Sequence, residues 1–198
     1  MQFTRGRTRR TGQASESLRG FSLVELMVTL AVAAILVAIA APSFASIFNS
    51  NRLSGAANEM VASLQVARME AIRYNSRTVV CRSEDGLSCA PGAVWNGWVT
   101  LGDTDRDGAV DEVLRVSTVK VPVELRVSTN VVNSRIEFRP DGRARTATGG
   151  MLTAIISVCI ATTKPVENAR LVSIGTGSRI STARSNGGGA CAVPSNTL

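Results

Sequence analysis

The sequence predicts an α+β fold in which one long N-terminal helix packs against an antiparallel β-sheet domain. An uncharged, largely apolar run from Leu26 to Phe48 leads into apolar residues at helical spacing. From Thr78 onward, short β-branched segments alternate with Gly, Asn and Asp, which is typical of antiparallel strands. The 198 residues are 44% hydrophobic and 19% charged, which argues against a disordered chain.

The first half of the helix has the length and polarity of a membrane segment. Residues 1–20 contain five arginines and one glutamate, and the following uncharged run would extend about 34 Å as a helix. Basic residues before an apolar segment keep that end in the cytoplasm. A secretory signal peptide cut after Ala40 and a plain membrane anchor are the alternatives. Glu25 argues against both, because a carboxylate in a membrane segment usually has a function, and Pro42 would kink the helix.

The second half of the predicted helix is amphipathic. Its apolar residues recur at spacings of three and four, which gives one stripe that faces the protein's own sheet. The stripe consists of Leu53, Ala57, Met60, Leu64, Ala67 and Ala71. Tyr74-Asn75-Ser76 ends the helix.

Seven short segments are predicted as the strands of an antiparallel meander. They are 78–82, 94–101, 112–118, 121–127, 135–139, 152–160 and 169–174. The tail, residues 185–198, contains three consecutive glycines and is predicted as loop.

The start of the apolar run resembles a known processing signal. Gly20-Phe21-Ser22-Leu23-Val24-Glu25, followed by about 20 apolar residues, is similar to the class III signal of type IV pilins and pseudopilins. The resemblance implies that a prepilin peptidase cuts after Gly20 and that the new N-terminal residue, Phe21, is N-methylated. It also implies that Glu25 pairs with the Phe21 amine of a neighbouring subunit during assembly. Pro42 matches the proline of the family pattern.

A second stretch resembles one branch of that family. Leu64-Gln65-Val66-Ala67-Arg68-Met69-Glu70-Ala71-Ile72 is similar to the signature of the FimT/FimU (GspH-like) minor pilins. A cysteine strand at Val79-Val80-Cys81, a Gly-Trp strand near Trp98 and the segment 138–142 follow, as in those proteins. The resemblance implies the ladle-shaped fold of type IV pilins, and Pro42 favours a type IV pilus over a type II secretion system.

The resemblance also implies a domain order and a location. Residues 1–20 would be a leader, 21–48 a transmembrane and filament-core helix, 49–75 its amphipathic half, and 76–198 a globular β domain with a C-terminal loop. The precursor would cross the inner membrane once, with the leader in the cytoplasm and the globular domain in the periplasm, before reaching the pilus. The implied partners are the prepilin peptidase, other major and minor pilins, and the inner membrane.

Four cysteines, Cys81, Cys89, Cys159 and Cys191, are expected to form disulfides in an oxidising compartment. Three pairings are possible. We favour the sequential one, because Cys81–Cys89 would close a hairpin-sized loop and Cys159–Cys191 would attach the glycine-rich tail to a strand. A four-cysteine zinc site is the alternative, although no C-x₂-C spacing is present.

The segment from Asp103 to Asp111 begins with the D-x-D-x-D-G pattern of a calcium loop. Asp103, Asp105, Asp107 and Asp111 are the candidate Ca²⁺ ligands. Two features favour a plain hairpin turn instead: Leu114 stands where an EF-hand carries a bidentate glutamate, and strands rather than helices flank the loop.

The positive charge of the predicted mature chain lies in its last third. Residues 134–198 contain eight basic and three acidic side chains. DNA-binding members of the FimT type carry a Gly-Arg-x-Arg motif, which Gly142-Arg143-Ala144-Arg145 matches; the usual position of the motif aligns better with Gly177–Ile180, where Ser178 replaces the first arginine. Arg143, Arg145, Arg179 and Arg184 are therefore candidates for binding double-stranded DNA without sequence specificity. A solvated surface or subunit contacts are the alternative roles.

An enzyme is not expected. The chain contains no histidine, which excludes Ser-His-Asp and Cys-His catalytic pairs and histidine-based zinc sites. The sequence therefore indicates a minor pilin that is incorporated into a type IV pilus, with DNA binding as an additional function. A minor pseudopilin of a type II secretion system is the alternative.

Overall fold

The computed structural model describes residues 20–196, except for the side chains of residues 40–43. Residues 1–19 of the predicted leader and the side chain of Pro42 lie outside the described residues. The chain divides into two compact units, Met1–Ala41 and Pro42–Leu198.

One helix, α1, extends from Leu23 to Tyr74. In its part of the first unit, large apolar side chains from Leu23 to Ile39 are at least half exposed. No single helix among the described residues meets the length and hydropathy criteria for a membrane span. The segments Leu23–Ile39 and Phe44–Tyr74 meet them only together, as a bent pair.

Within the second unit, the predicted apolar stripe of α1 is buried. Each of its six residues is at most 3% exposed, from Leu53 to Ala71. They form one core cluster with strand residues that include Val80, Ile136 and Ile156. The prediction that this half of the helix lies on the protein's own sheet is confirmed.

Within residues 20–196, ten strands form two five-stranded antiparallel sheets. They are β1 (Thr78–Arg82), β2 (Val94–Trp95), β3 (Gly97–Gly102), β4 (Glu112–Thr118), β5 (Val123–Val127), β6 (Arg135–Phe138), β7 (Ala144–Arg145), β8 (Ala154–Ile160), β9 (Ala169–Ile174) and β10 (Ile180–Ser185). The order is β4-β3-β1-β6-β7 in the first sheet and β10-β9-β8-β5-β2 in the second. The α+β class is confirmed, and the single meander is wrong.

The predicted strand 94–101 is also wrong, because the chain changes sheets at Asn96. β2 pairs with β5 in the second sheet, whereas β3 pairs with β1 and β4 in the first. The Asn96 carbonyl accepts a hydrogen bond from the Val119 N–H at 2.9 Å. A Cβ atom on Gly97 would lie 2.9 Å from the Ser83 carbonyl oxygen, so only glycine fits at this crossing.

Two strands were not predicted. β7 has only two residues, and β10 is an edge strand without a buried residue, so neither carries an alternating apolar pattern. Beyond Ser185, residues 186–196 contain no helix or strand, as expected for the tail.

Candidate functional site

The N-terminal end of α1 is capped by Ser22. The Ser22 hydroxyl accepts a hydrogen bond from the Glu25 N–H at 3.2 Å, and the Ser22 carbonyl accepts one from the Leu26 N–H at 3.1 Å. Glu25 therefore lies in the first turn, where the positive end of the helix dipole favours a carboxylate. The Ser-x-x-Glu spacing is the sequence signature of such a cap, and it was not among the predicted features.

Gly20 and Phe21 precede the helix and are exposed. Phe21 is 81% exposed, and the peptide that joins it to Gly20 lies outside the helical hydrogen-bonding pattern. This peptide bond therefore joins two exposed residues outside the helix. The Glu25 side chain is also exposed and makes no ion pair within 4.0 Å among the residues described.

The β6–β7 hairpin carries a cluster of exposed arginines. Ile136, Phe138 and Ala144 point into the core and are fully buried. The charged residues alternate with them: Arg135, Arg139 and Arg143 are exposed, and Arg145 is partly buried. Glu137 pairs with Arg139 at 3.3 Å, and Asp141 pairs with Arg145. The hairpin therefore carries four arginines and two carboxylates, which leaves an excess of positive charge.

A second turn, residues 175–179, lies against this hairpin. The buried Ser178 hydroxyl accepts a hydrogen bond from the Ala144 N–H at 2.6 Å. Arg143 and Arg179, the residues next to this pair, are both exposed. The two sequence segments that compete for the Gly-Arg-x-Arg motif are therefore neighbours in the fold.

The glycine of the hairpin turn is required by its surroundings. Gly142 has a φ of +68°, and a Cβ atom on it would lie 2.8 Å from the Ile72 Cδ1 atom on α1. The turn therefore packs tightly against the helix. On the second turn, the Ser178 carbonyl accepts a hydrogen bond from Arg68 of the same helix at 3.2 Å.

Three further arginines are paired with carboxylates or buried. Arg145 donates hydrogen bonds to the Asp141 carboxylate and to the Gly149 carbonyl. The hydrogen bond between Arg145 and Asp141 lowers the pKa of the Asp141 carboxyl below its ordinary value. Arg184 lies on β10, about 16 Å along the chain from Arg179 at strand spacing, and pairs with Glu167 at 3.5 Å. Arg170 is 5% exposed, and burial lowers the pKa of its guanidinium.

The four cysteines form two disulfides, Cys81–Cys89 and Cys159–Cys191. This is the sequential pairing that we favoured. The described residues contain no free cysteine, so the alternative four-cysteine zinc site is absent from this structure.

The structure brings together three of the four candidate Ca²⁺ ligands. One carboxylate oxygen from each of Asp103, Asp105 and Asp107 lies within 4.8 Å of the other two. Asp111 does not belong to this group.

Comparison with known proteins identifies the family. A family model described as the type II transport protein GspH matches residues 56–177, which is more than half of the chain. The chain belongs to the GspH family. The match begins within α1 and extends through β9, so it includes the β6–β7 hairpin but ends at Gly177, before Ser178 and Arg179.

A second model, the prokaryotic N-terminal methylation motif, matches residues 18–41 of this GspH-family chain. The match includes Gly20, Phe21 and Glu25. The two matches confirm the family that the sequence motifs indicated. The chain is a minor type IV pilin-like or pseudopilin-like protein with a prepilin methylation motif. No curated protein matches it.

Solved structures resemble this GspH-family chain in fold. Two crystal forms of the type IV minor pilin FimU from Pseudomonas aeruginosa (strain PAO1) are 21% identical in sequence. One covers 68% of this chain and 90% of FimU with a TM-score of 0.50, and the other covers 66% and 92% with a TM-score of 0.48. The minor pseudopilin EpsH from the Vibrio cholerae type 2 secretion system is 14% identical and covers 67% of this chain and 97% of EpsH, with a TM-score of 0.48.

Proposed function

We propose that this protein is a minor subunit of a type IV pilus. A prepilin peptidase cleaves it after Gly20, Phe21 becomes the N-methylated terminus, and α1 anchors the chain in the inner membrane before assembly. The globular domain then lies in the periplasm. The observation that carries the proposal is the methylation motif at residues 18–41, which leads directly into a helix whose apolar side chains are exposed.

The exposed apolar side chains at the start of α1 must be covered both before and after the subunit enters the filament. Apolar side chains from Leu23 to Ile39 are more than half exposed, and leaving such an area in water is unfavourable. Lipid covers them in the membrane, and the helices of other pilins cover them in the filament. Major and minor pilins are therefore the proposed partners.

Glu25 is proposed to select the correct position of the subunit in the filament. A carboxylate in an apolar helix bundle is stable only when it is paired. The Phe21 amine of a neighbouring subunit supplies a positive charge, as the family resemblance implies. The pairing would align adjacent helices, because any other register leaves Glu25 buried without a partner.

Glu25→Ala tests this role in cells that assemble the filament. The variant is expected to be cleaved and inserted into the membrane, but to be lost from sheared filaments. Glu112→Ala, which removes an exposed carboxylate from the globular domain, is the matched control and should be incorporated normally. Incorporation of Glu25→Ala at the level of the control would contradict the proposal.

A pseudopilin of a type II secretion system is the alternative within the same structural class. Pro42 favours the pilus, because the sequence resemblance connects this proline with type IV pilus members. Deletion of the gene distinguishes the two. The pilus proposal expects fewer surface filaments with normal protein secretion, whereas a secretion defect with normal pili would support the pseudopilin.

Non-specific binding of double-stranded DNA is a second candidate function. The bond between Ala144 and Ser178 supports it, because it holds the exposed Arg143 and Arg179 on adjacent turns. Arg139, opposite Arg143 in the hairpin, extends the cluster. Guanidinium groups bind phosphate oxygens well, and such contacts read the DNA backbone rather than the bases.

A gel shift with the full chain in detergent tests DNA binding at several salt concentrations. Affinity should fall steeply with salt, and Arg143→Ala/Arg179→Ala should lower the slope of log K against log salt by about 2. Arg184→Ala is the control, because Arg184 is an exposed arginine on β10, outside the two turns. The absence of a shift at low salt, or equal losses in both variants, would contradict binding through these two turns.

A further inference from the structure

The loop between β3 and β4, residues 103–111, gathers negative charge in a small volume. It contains four aspartates and one arginine. One oxygen from each of the Asp103, Asp105 and Asp107 carboxylates lies within 4.8 Å of the other two. Carboxylates at this separation repel each other, so the arrangement is unfavourable unless a positive charge lies among them.

Asp103 is the buried member of the group. It is 5% exposed, and one of its carboxylate oxygens is among the atoms that converge. Its Oδ1 atom has no hydrogen-bond partner among the described residues. A buried carboxylate oxygen without a partner is costly, and its convergence with two further carboxylates favours a bound cation.

The protein does not supply that cation from the described residues. In residues 20–196, no Lys or Arg nitrogen lies within 4.0 Å of any of the three carboxylates. The two arginines that contact the loop region bind carbonyl oxygens instead. Arg77 donates to the Gly108 carbonyl, and Arg106 donates to the Tyr74 carbonyl at 2.8 Å.

The backbone holds the loop in place. The Asp103 N–H donates to the Arg77 carbonyl at 3.1 Å, and the Ser76 hydroxyl donates to the Asp103 carbonyl. Gly108 makes the turn with a φ of +94°. Because the loop is already attached to the segment that follows α1, the conformational entropy lost by the loop on ion binding would be small.

We propose that Asp103, Asp105 and Asp107 bind a Ca²⁺ ion. The three carboxylates are hard oxygen donors, and Ca²⁺ takes such ligands at about 2.3–2.6 Å in flexible geometry. Ligands on opposite sides of the ion are then about 5 Å apart, which the observed spacing already satisfies. Mg²⁺ requires a tighter octahedron and keeps its water more strongly. Because all three ligands belong to one loop, the bound ion would fix the conformation of the β3–β4 loop.

The proposed affinity is modest. Leu114 occupies the position of the bidentate glutamate of an EF-hand, and Asp111 lies outside the group. Three protein carboxylates therefore share the ion with backbone carbonyls or water. Sites of this kind in exported domains bind Ca²⁺ with dissociation constants of about 10⁻⁴–10⁻³ M.

Isothermal titration calorimetry on the full chain in detergent, after treatment with a chelator, tests the proposal. CaCl₂ should bind with a dissociation constant in that range, and MgCl₂ should bind at least about tenfold more weakly. No heat of binding with CaCl₂ at millimolar concentration would overturn the proposal. Equal affinity for the two ions would overturn the assignment to Ca²⁺.

Two variants distinguish binding by these three carboxylates from a general effect of the negative charge of the loop. Asp105→Asn/Asp107→Asn removes two exposed ligands and should weaken Ca²⁺ binding more than tenfold. Asp111→Asn, which removes the same type of charge from the same loop, should change the dissociation constant less than twofold. In EDTA, the double variant should melt at or above the temperature of the unmodified chain, because it relieves repulsion. Undiminished binding by the folded double variant would overturn the proposal.

Discussion

The Ala144 N–H donates to the Ser178 hydroxyl at 2.6 Å, although 34 positions separate the two residues in sequence and both are fully buried. This hydrogen bond connects the β6–β7 hairpin to the turn before β10. The Ser178 hydroxyl is the acceptor in this bond, so an arginine at position 178 would remove it. A guanidinium at position 178 would be buried against Ala144 without a carboxylate partner.

Ser178→Ala should destabilise the protein. The substitution leaves the buried Ala144 N–H without an acceptor, which costs about 1–3 kcal/mol. Ser181→Ala, at an exposed position on β10, is the control and should change the free energy of unfolding by less than about 0.5 kcal/mol. Urea unfolding of both variants measures the difference. Equal stability of the two variants would contradict the structural role of Ser178.

The two buried tryptophans provide a matched pair. Trp98 donates its indole N–H to the Ser63 hydroxyl on α1 at 2.8 Å, whereas the indole N–H of Trp95 has no partner among the described residues. Both side chains are at most 1% exposed. Trp98→Phe breaks a hydrogen bond and should cost about 1–3 kcal/mol more than Trp95→Phe, which removes an unsatisfied donor.

Urea unfolding monitored by circular dichroism compares the two tryptophan variants without relying on the fluorescence of the residue removed. If Trp95→Phe destabilises the protein as much as Trp98→Phe, the hydrogen bond between α1 and β3 contributes nothing measurable.

The stability contributed by Glu59 should depend on pH. Glu59 on α1 accepts hydrogen bonds from Ser117 at 2.6 Å and from Arg115 at 2.8 Å, and these contacts lower the pKa of its carboxyl below the ordinary 4.5. A lowered folded-state pKa means that the stabilisation is complete above the unfolded-state value and is lost as the pH falls through the folded-state value. Since Glu59 and Arg115 are each about one-third exposed, solvent screening limits the effect to below about 1 kcal/mol.

Glu59→Gln is the variant that measures this pH dependence. The difference in unfolding free energy between it and the unmodified chain should be constant from pH 6 to 7 and shrink below about pH 4.5. A difference that stays constant down to pH 3 would show that the charge of Glu59 has no role.

The two disulfides should contribute unequally. Cys159 and Cys191 are separated by 32 positions and Cys81 and Cys89 by 8. In the chain-entropy model the longer loop stabilises by about 3.7 kcal/mol and the shorter by about 2.5 kcal/mol. Replacing each pair with serine and measuring urea unfolding tests this ranking. A larger loss from the Cys81/Cys89 pair would contradict it.

Local patterns predicted part of the fold well. Burial of the stripe from Leu53 to Ala71 follows from its spacing, and β1, β4 and β9 begin and end at the predicted residues. These elements have a periodic apolar face or clear turn residues at both ends. The pattern failed at Asn96, because Trp95 and Trp98 are buried on either side of the change between sheets and only Asn96-Gly97 interrupts the apolar residues.

The candidate sites depended more on tertiary contacts. The capping residue Ser22 was visible in sequence as Ser-x-x-Glu. The contact between Ala144 and Ser178 was not, because it depends on how two distant turns pack. The grouping of Asp103 with Asp105 and Asp107, and the exclusion of Asp111, likewise depends on the path of the loop. The spacing in the sequence predicted four candidate aspartates, and the conformation of the loop determines which three of them lie together.

Mass spectrometry of the N-terminal peptide of this protein, isolated from filaments sheared from cells, tests the central proposal most directly. The pilin proposal predicts a peptide that begins at N-methylated Phe21, with Glu25 retained in the mature chain. A chain that begins at Ala41 would instead be the product of a secretory signal peptidase. That result, or the absence of the protein from filaments, would contradict its proposed function as a pilus subunit.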